Sequence, residues 1–374
     1  MSRRFHIAYV AHSVRSDWNN GNAHFLRGLI RALGSIGHDV TVWESETAWS
    51  VENLRTEDAG ARSLENFACV YNDLNVRTYI DDEVGEVMRA AWAKRLLGVN
   101  IVILHEWNPP ALAQCLLALR ETMGFKLVFH DTHHRASSSP EQLHSFGLNR
   151  FDCVLAFGEA LRTIYRERFG IEQVRVLHEA ADVTVFTPMP NIEKTIDAVW
   201  IGNWGEGERS QEIRSYYLDP AKALSSEARF EQFGVRYPED GLDALRAAGI
   251  VYRGYLPNLD APRVYASTRL TVHIPRQQYS AAMKGIPTIR VFEALACGIP
   301  LISAPWEDCE KLFSPCDYTK VENTYEMVDA MRQILRDPAR AEEQAYQGRE
   351  TVLARHTCDH RANELTAICE EILL

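Results

Sequence analysis

The residues of this 374-residue chain that could do chemistry stand in short polar clusters, each at the end of an apolar run. His105-Glu106-Trp107-Asn108-Pro109 closes one run and His130-Asp131-Thr132-His133-His134-Arg135 closes another. Histidine exchanges a proton near neutral pH, and both His and Asp can orient a sugar hydroxyl or shuttle its proton. His130 is therefore the first choice for a group facing a reacting hydroxyl, with Asp131 or Glu106 as alternative bases and His105 and His133 beside them. A metal site is the rival reading. His133 and His134 are adjacent and do not easily converge on one ion, and neither an H-E-x-x-H pattern nor a Cys partner accompanies them. Nearer the start, the run 12–22, HSVRSDWNNGN, offers Trp18, Asn20 and Gly21 and leads into a helix carrying His24. A glycine-containing loop at a helix start can approach a phosphate closely, although Asn and Gly also serve any tight loop.

The second half carries a different chemistry. The run 285–306, GIPTIRVFEALACGIPLISAPW, reads as a turn, a short helix and a buried strand. Pro287 and Thr288 mark the helix start, and Gly298 with Pro300 supplies the stop. The first turn presents N–H groups and the positive end of the helix dipole, with one carboxylate, Glu293, inside an apolar helix. That pattern is a phosphate cradle, or a helix that merely packs on its strand. Gly202 and Asn203 follow the run 197–201, and the charged stretch 206–209 after them ends in Arg209, which could neutralise a phosphate or form an ordinary salt bridge. In YRGYLPN, Tyr255 and Leu256 could seat a flat base or belong to the core. Arg276 is a further cation after the run 270–274.

These clusters need elements to hold them. Strand-like runs at 5–10, 40–43, 101–105, 126–130, 153–157 and 174–177 alternate with helical stretches, of which 25–33 carries apolar residues at helical spacing before Gly34 and Gly37. This βαβ alternation predicts a parallel sheet covered on both faces. The segment 178–190, with two prolines and no period, marks a domain boundary. Beyond it the alternation resumes, with strands near 197–201, 229–233, 270–274 and 301–303. Helices are expected near 210–217, 242–247, 261–266, 289–296 and 324–335, and an amphipathic one over 360–373. Length alone favours two domains, and a cleft between them is the expected ligand site.

Composition narrows the classes. The chain is 46% hydrophobic and 24% charged, which fits a globular protein folded throughout. A formal charge of −11 argues against non-specific binding to nucleic acid or anionic membrane. The opening MSRRFHIAYVAH resembles a signal peptide only in its two arginines and reads as a first strand. No apolar run approaches the roughly 20 residues that span a bilayer. Eight scattered cysteines without a C-x-x-C pair predict reduced thiols and a cytoplasmic location.

Taken together, NGNAHFLRGLIRALGSIGHDVTVWE, FHDTHHR, IGNW, YRGYLPN and GIPTIRVFEALACGIPLI resemble a GT-B glycosyltransferase, and more narrowly the CgeB-like (spore-maturation-protein-like) group. The resemblance covers most of the chain. It implies an α/β fold of GT-B architecture, two Rossmann-like domains with parallel sheets facing a central cleft. An acceptor-side domain over 1–182, a donor domain over 183–355 and a closing helix over 356–374 that crosses back follow from it. It further implies metal-independent transfer of a sugar from a UDP-, GDP- or dTDP-sugar to a small-molecule, glycan or protein acceptor, with no other cofactor. Glu293 would hold the donor ribose, and Thr288, Ile289 and Arg290 the diphosphate. Gly202, Asn203, Arg209, Tyr255, Leu256 and Arg276 complete the donor side, and Trp18, Asn20, Gly21, His24, His105 and His133 the acceptor or sugar side. One departure stands out. Many retaining GT-B enzymes carry a second Glu eight positions before the ribose-binding one, and here that position is Gly285, with no carboxylate close by on its loop. Retention is therefore not implied, and a sugar-nucleotide epimerase or a non-catalytic sugar-nucleotide-binding protein of the same fold is the alternative.

Overall fold

The computed structural model describes residues 3–81, 83–205, 207 and 209–374. The chain divides into two compact units, one built from the residues up to Glu179 with Cys358–Leu374, the other from Ala180–Thr357.

Seven parallel strands form the sheet of the first unit: β1 (His6–Val10), β2 (Asp39–Ser45), β3 (Asn75–Tyr79), β4 (Ile101–His105), β5 (Lys126–Asp131), β6 (Cys153–Ala156) and β7 (Val174–Val176), in the order β3-β2-β1-β4-β5-β6-β7. The runs IVILH and LVFHD are buried throughout, the signature of strands covered on both faces. The helix Ala23–Ser35 lays Phe25, Leu26, Leu29, Ile30 and Leu33 inward. Gly34 lies within it, and the reversal comes at Gly37, whose φ of +102° strains any side chain. The helix Pro110–Met123 starts on proline and stops at the left-handed Gly124. The last helix, Cys358–Ile372, packs on Ala23–Ser35, and Thr366 Oγ1 meets His38 Nε2 at 2.9 Å. Strand β3 escapes the sequence pattern because it is a largely exposed edge strand with polar residues at alternate positions.

The second unit holds β8 (Ile196–Ile201), β9 (Phe230–Phe233), β10 (Val251–Tyr252), β11 (Thr268–His273), β12 (Leu301–Ser303) and β13 (Thr319–Lys320), again all parallel, in the order β10-β9-β8-β11-β12-β13. Trp200, Tyr217, Phe230, Leu270, Met327 and Met331 lie in one apolar core around it. The helix expected over 210–217 is α-helical only for Ser210–Ile213 and widens to a π-helical turn over Arg214–Leu218. A second π-helical turn, Gln278–Ala282, precedes the helix Ile289–Ala296. Such turns recur at functional sites. The helix Pro338–Arg355 has no strong apolar period, since it buries only Ala345, Gly348 and Val352, and Asp337 caps it by accepting the Arg340 amide at 3.1 Å. No helix among the described residues is long and apolar enough to cross a membrane.

Candidate functional site

In the first unit the parallel register sets His105 of β4 opposite His130 of β5. Side chains at paired positions share a face, and the two rings stand edge to face with centroids 6.0 Å apart. Tyr9 of β1 joins them through a hydrogen bond between its hydroxyl and His130 Nδ1, and Phe25 closes over His130 at 6.3 Å. His105 Nε2 meets Thr132 Oγ1 at 3.0 Å. Both rings are buried, and among the described residues His130 Nε2 and His105 Nδ1 have no hydrogen-bond partner. Burial lowers the pKa of His130 to about 3 and holds that of His105 well below its ordinary range, so both are neutral at pH 7.

One residue further along each strand, the side chains turn to the opposite face and change from imidazole to carboxyl. Asp131 accepts the Tyr165 hydroxyl and, at 3.0 Å, the His133 amide. One oxygen of Glu106 accepts the Thr132 amide at 3.0 Å and hydroxyl at 3.2 Å, and the other accepts Arg135 Nε at 3.1 Å. Burial, with the Asp131 charge added, pushes the Glu106 carboxyl well above its usual range, and burial raises Asp131 too. His130, Asp131 and Glu106 are each 0% exposed. The hydrogen bonds of Asp131 and Glu106 pin the loop 132–135, and what the strand-end loops present to solvent is different. Trp107 is 43% exposed, the Arg135 guanidinium lies 4.1 Å over its ring, and His133 and His12 stand 4.9 and 6.5 Å away, centroid to centroid. Burial, helped by Arg135, lowers the His12 pKa to about 4.

The loop 12–22 is fixed by buried charge. Arg27, 1% exposed, reaches Asp17 at 3.3 Å and the Val14 and Arg15 carbonyls, while Glu44 accepts the Val14 amide at 2.6 Å. Trp18 donates Nε1 to Glu57 at 2.7 Å, and Asn20 donates to the Ser13 carbonyl at 3.1 Å. His24 is fully buried and Gly21 half-buried. Asn22 donates to the Thr132 carbonyl at 3.2 Å, which ties this loop to the one after β5.

The second unit builds its strand ends from backbone. Glu206 and Glu208, in the charged stretch after Asn203, lie outside the described residues. Arg209 is 8% exposed and gives its donors to carbonyls, Asn203 at 2.5 Å and Ile274 at 3.2 Å, with its guanidinium 5.0 Å from the Trp200 ring. It thereby ties the end of β8 to the end of β11. The Gly202 carbonyl accepts Gln232 Nε2 and the Tyr237 hydroxyl at 2.8 Å each, and Asn203 Oδ1 accepts the Val235 amide at 2.9 Å. A Cβ at Gly234 would stand 2.3 Å from the Gly202 oxygen, so only glycine fits there. Tyr255, Leu256 and Arg276 are half-buried. Neighbouring Arg253 is engaged with Glu231 through two contacts of 2.8 and 2.9 Å.

The helix Ile289–Ala296 begins at Thr288, and among the described residues no side chain caps it. Glu293 is 0% exposed and pairs with Arg290 one turn earlier, whose side chain is 26% exposed. Gly285 takes φ +98°, and the place where its Cβ would stand lies 3.3 Å from Cys309 Cβ and 3.5 Å from Glu310 Oε1. A carboxylate therefore does reach this loop, supplied by the segment after β12. Sequence position hid it, because 25 residues separate Glu310 from Gly285. Tyr9, Tyr165, Trp107 and Arg135 also escaped selection. The signal for the last two was their place inside the HEWNP and HDTHHR clusters.

Residues 211–367 match the family of glycosyl transferase-like domains. Among solved structures, the chain resembles HepE of Anabaena in complex with UDP and glucose, with a TM-score of 0.70 and 14% identity over 97% of this chain and 99% of that one. Sucrose-phosphate synthase of Thermosynechococcus elongatus has a TM-score of 0.65 and 16% identity, over 99% of both chains. A glycosyltransferase of Rickettsia africae has 0.68 and 12%, again over 99% of both. No curated protein sequence matches the chain. The fold is GT-B, and most of the stretch that matches the glycosyl transferase-like family lies in the second unit.

Proposed function

We propose that this glycosyltransferase moves a sugar from a nucleoside diphosphate, UDP in the first instance, to the hydroxyl of an acceptor held by the strand-end loops of the first unit. One observation carries the donor assignment. The helix Ile289–Ala296 lies inside the matched domain and starts without a side-chain cap, with the carboxylate of Glu293 and the guanidinium of Arg290 on its first turns. Amides at a helix start attract a diphosphate, and a buried carboxylate suits two ribose hydroxyls.

In the transfer the acceptor oxygen attacks the anomeric carbon as the bond from that carbon to the β-phosphate oxygen breaks. Negative charge grows on the departing diphosphate. Preorganised N–H donors and Arg290 stabilise it without a metal ion, and each such donor is worth about 100- to 1000-fold in rate. Glu310, beside Gly285, reads the transferred sugar in place of the missing second Glu. Asp131 and Glu106 position the loop 132–135, and the half-buried His133 faces the acceptor hydroxyl and takes up its proton.

FHDTHHR, IGNW and YRGYLPN support a place near the CgeB-like group. All eight cysteines are free, which supports work in a reducing cytoplasm. The test is incubation of the full chain with UDP-glucose, UDP-N-acetylglucosamine, GDP-mannose and dTDP-glucose. Release of the matching nucleoside diphosphate with equimolar free or transferred sugar is the expected result. Epimerised donor with no nucleotide release would make the chain an epimerase.

A further inference from the structure

Trp107 is exposed yet held, a combination that ordinary packing does not call for. In the same unit Trp43, Trp92 and Trp18 are buried, and the other exposed indole, Trp49, rests on Trp18 rather than on a charged cluster. Beneath Trp107 the chain keeps an unusual amount of buried charge. Arg135 covers its ring at 4.1 Å, and Arg135 in turn is fixed by Glu106 Oε2 at 3.1 Å and the Glu106 carbonyl at 2.6 Å. Glu106 and Asp131 lie side by side there, fully buried. Burying such a cluster is expensive and adds little to stability, so a rigid surface is what it provides. His133 and His12 extend that surface to either side of the indole, at the ends of β5 and β1, and the His105 and His130 nitrogens without partners lie among the same strand ends.

We propose that Trp107 is the stacking platform for one ring of a saccharide acceptor. The proposal rests on the transferase reading above and adds the acceptor class to it. The face of an indole is electron-rich and attracts the polarised C–H bonds on the apolar side of a sugar ring, while the rim of the ring stays free for hydrogen bonds. Arg135 already gives its donors to the Glu106 side chain and carbonyl, so the platform favours a neutral ring over a phosphorylated acceptor.

The test uses the full chain with ¹⁵N-labelled tryptophan, whose eight indoles are few enough to separate. Maltose, cellobiose and N,N′-diacetylchitobiose are titrated in turn, with thymidine as a flat-base control. The Trp107 indole signal, assigned with Trp107→Phe, shifts with at least one disaccharide, and that of Trp49, 46% exposed in the same unit, does not. With that disaccharide as acceptor, Trp107→Ala lowers kcat/KM at least tenfold and Trp107→Phe restores most of it. A Trp107 signal that no disaccharide moves, one that moves with thymidine alone, or equal kcat/KM for Trp107→Ala overturns the proposal. UDP titrated into the same sample reads the donor side separately. A chain that binds saccharide at Trp107 but not UDP keeps the platform and loses the donor assignment.

Discussion

The two units share one architecture and finish it differently at the carboxyl ends of their strands. In the first, side chains do the work: imidazoles on one face, a carboxyl pair on the other, and an arginine that converts buried charge into a fixed indole. In the second, the backbone does it. Arg209 is spent on two carbonyls, Gly234 exists because the Gly202 oxygen is 2.3 Å from where its Cβ would be, and an uncapped helix presents amides. A diphosphate is the same in every donor of this kind and suits a backbone cradle. Acceptors vary, and side chains vary with them.

The contrast is open to attack at its most expensive point. Arg135→Ala takes the Arg135 donors away from the buried Glu106 Oε2 and from the Glu106 carbonyl, and at about 1–3 kcal/mol for each buried acceptor left unpaired it should cost about 3 kcal/mol of stability. Urea unfolding followed by circular dichroism measures it, and a loss below about 1 kcal/mol would mean that the carboxyl pair is stable by itself. The corresponding break in the second unit is Gly234→Ala. Overpacking against the Gly202 oxygen should cost about 2 kcal/mol, and UDP affinity should fall with it, because the loop 202–205 must shift.

A smaller effect separates the imidazole face from everything else. His130 has a folded pKa of about 3 against an ordinary 6.5, so between those values the unfolded chain binds more protons than the folded one. Its contribution to stability is complete above pH 6.5 and is lost as pH falls toward 3. His130→Asn should flatten the decline in melting temperature between pH 6.5 and 4.5. Glu106, raised by burial and by Asp131, acts with the opposite sign, since its folded form keeps a proton that the unfolded chain releases above its ordinary range. Glu106→Gln should therefore remove a loss of stability that sets in as pH rises above the ordinary carboxyl value of 4.5, and an unchanged profile in either variant would contradict the assigned burial.

Most of the fold was legible because buried parallel strands announce themselves. The runs at 101–105 and 301–303 and the helices at 261–266 and 289–296 have the same limits in sequence and structure. Strand β3 and the helix Pro338–Arg355 were not, since a mostly exposed element carries little apolar period. The site was legible as clusters and not as roles. That His130, Asp131 and Glu106 could carry protons follows from their type. That each is sealed from solvent follows only from the register of β4 with β5 and from Phe25 and Tyr165 packing above and below. Glu310 shows the same limit from the other side, because nothing local to Gly285 points to a residue beyond the next strand.

The central claim is that the second unit holds a nucleoside diphosphate at the start of the helix Ile289–Ala296, with Glu293 on the ribose. Titration calorimetry of UDP into the full chain and into Glu293→Ala, with unfolding curves confirming that the variant folds, tests it directly. Losing charge-assisted hydrogen bonds of about 1.5–3 kcal/mol predicts roughly a 10- to 150-fold weaker dissociation constant for the variant. Equal affinities in a folded variant would contradict the assignment.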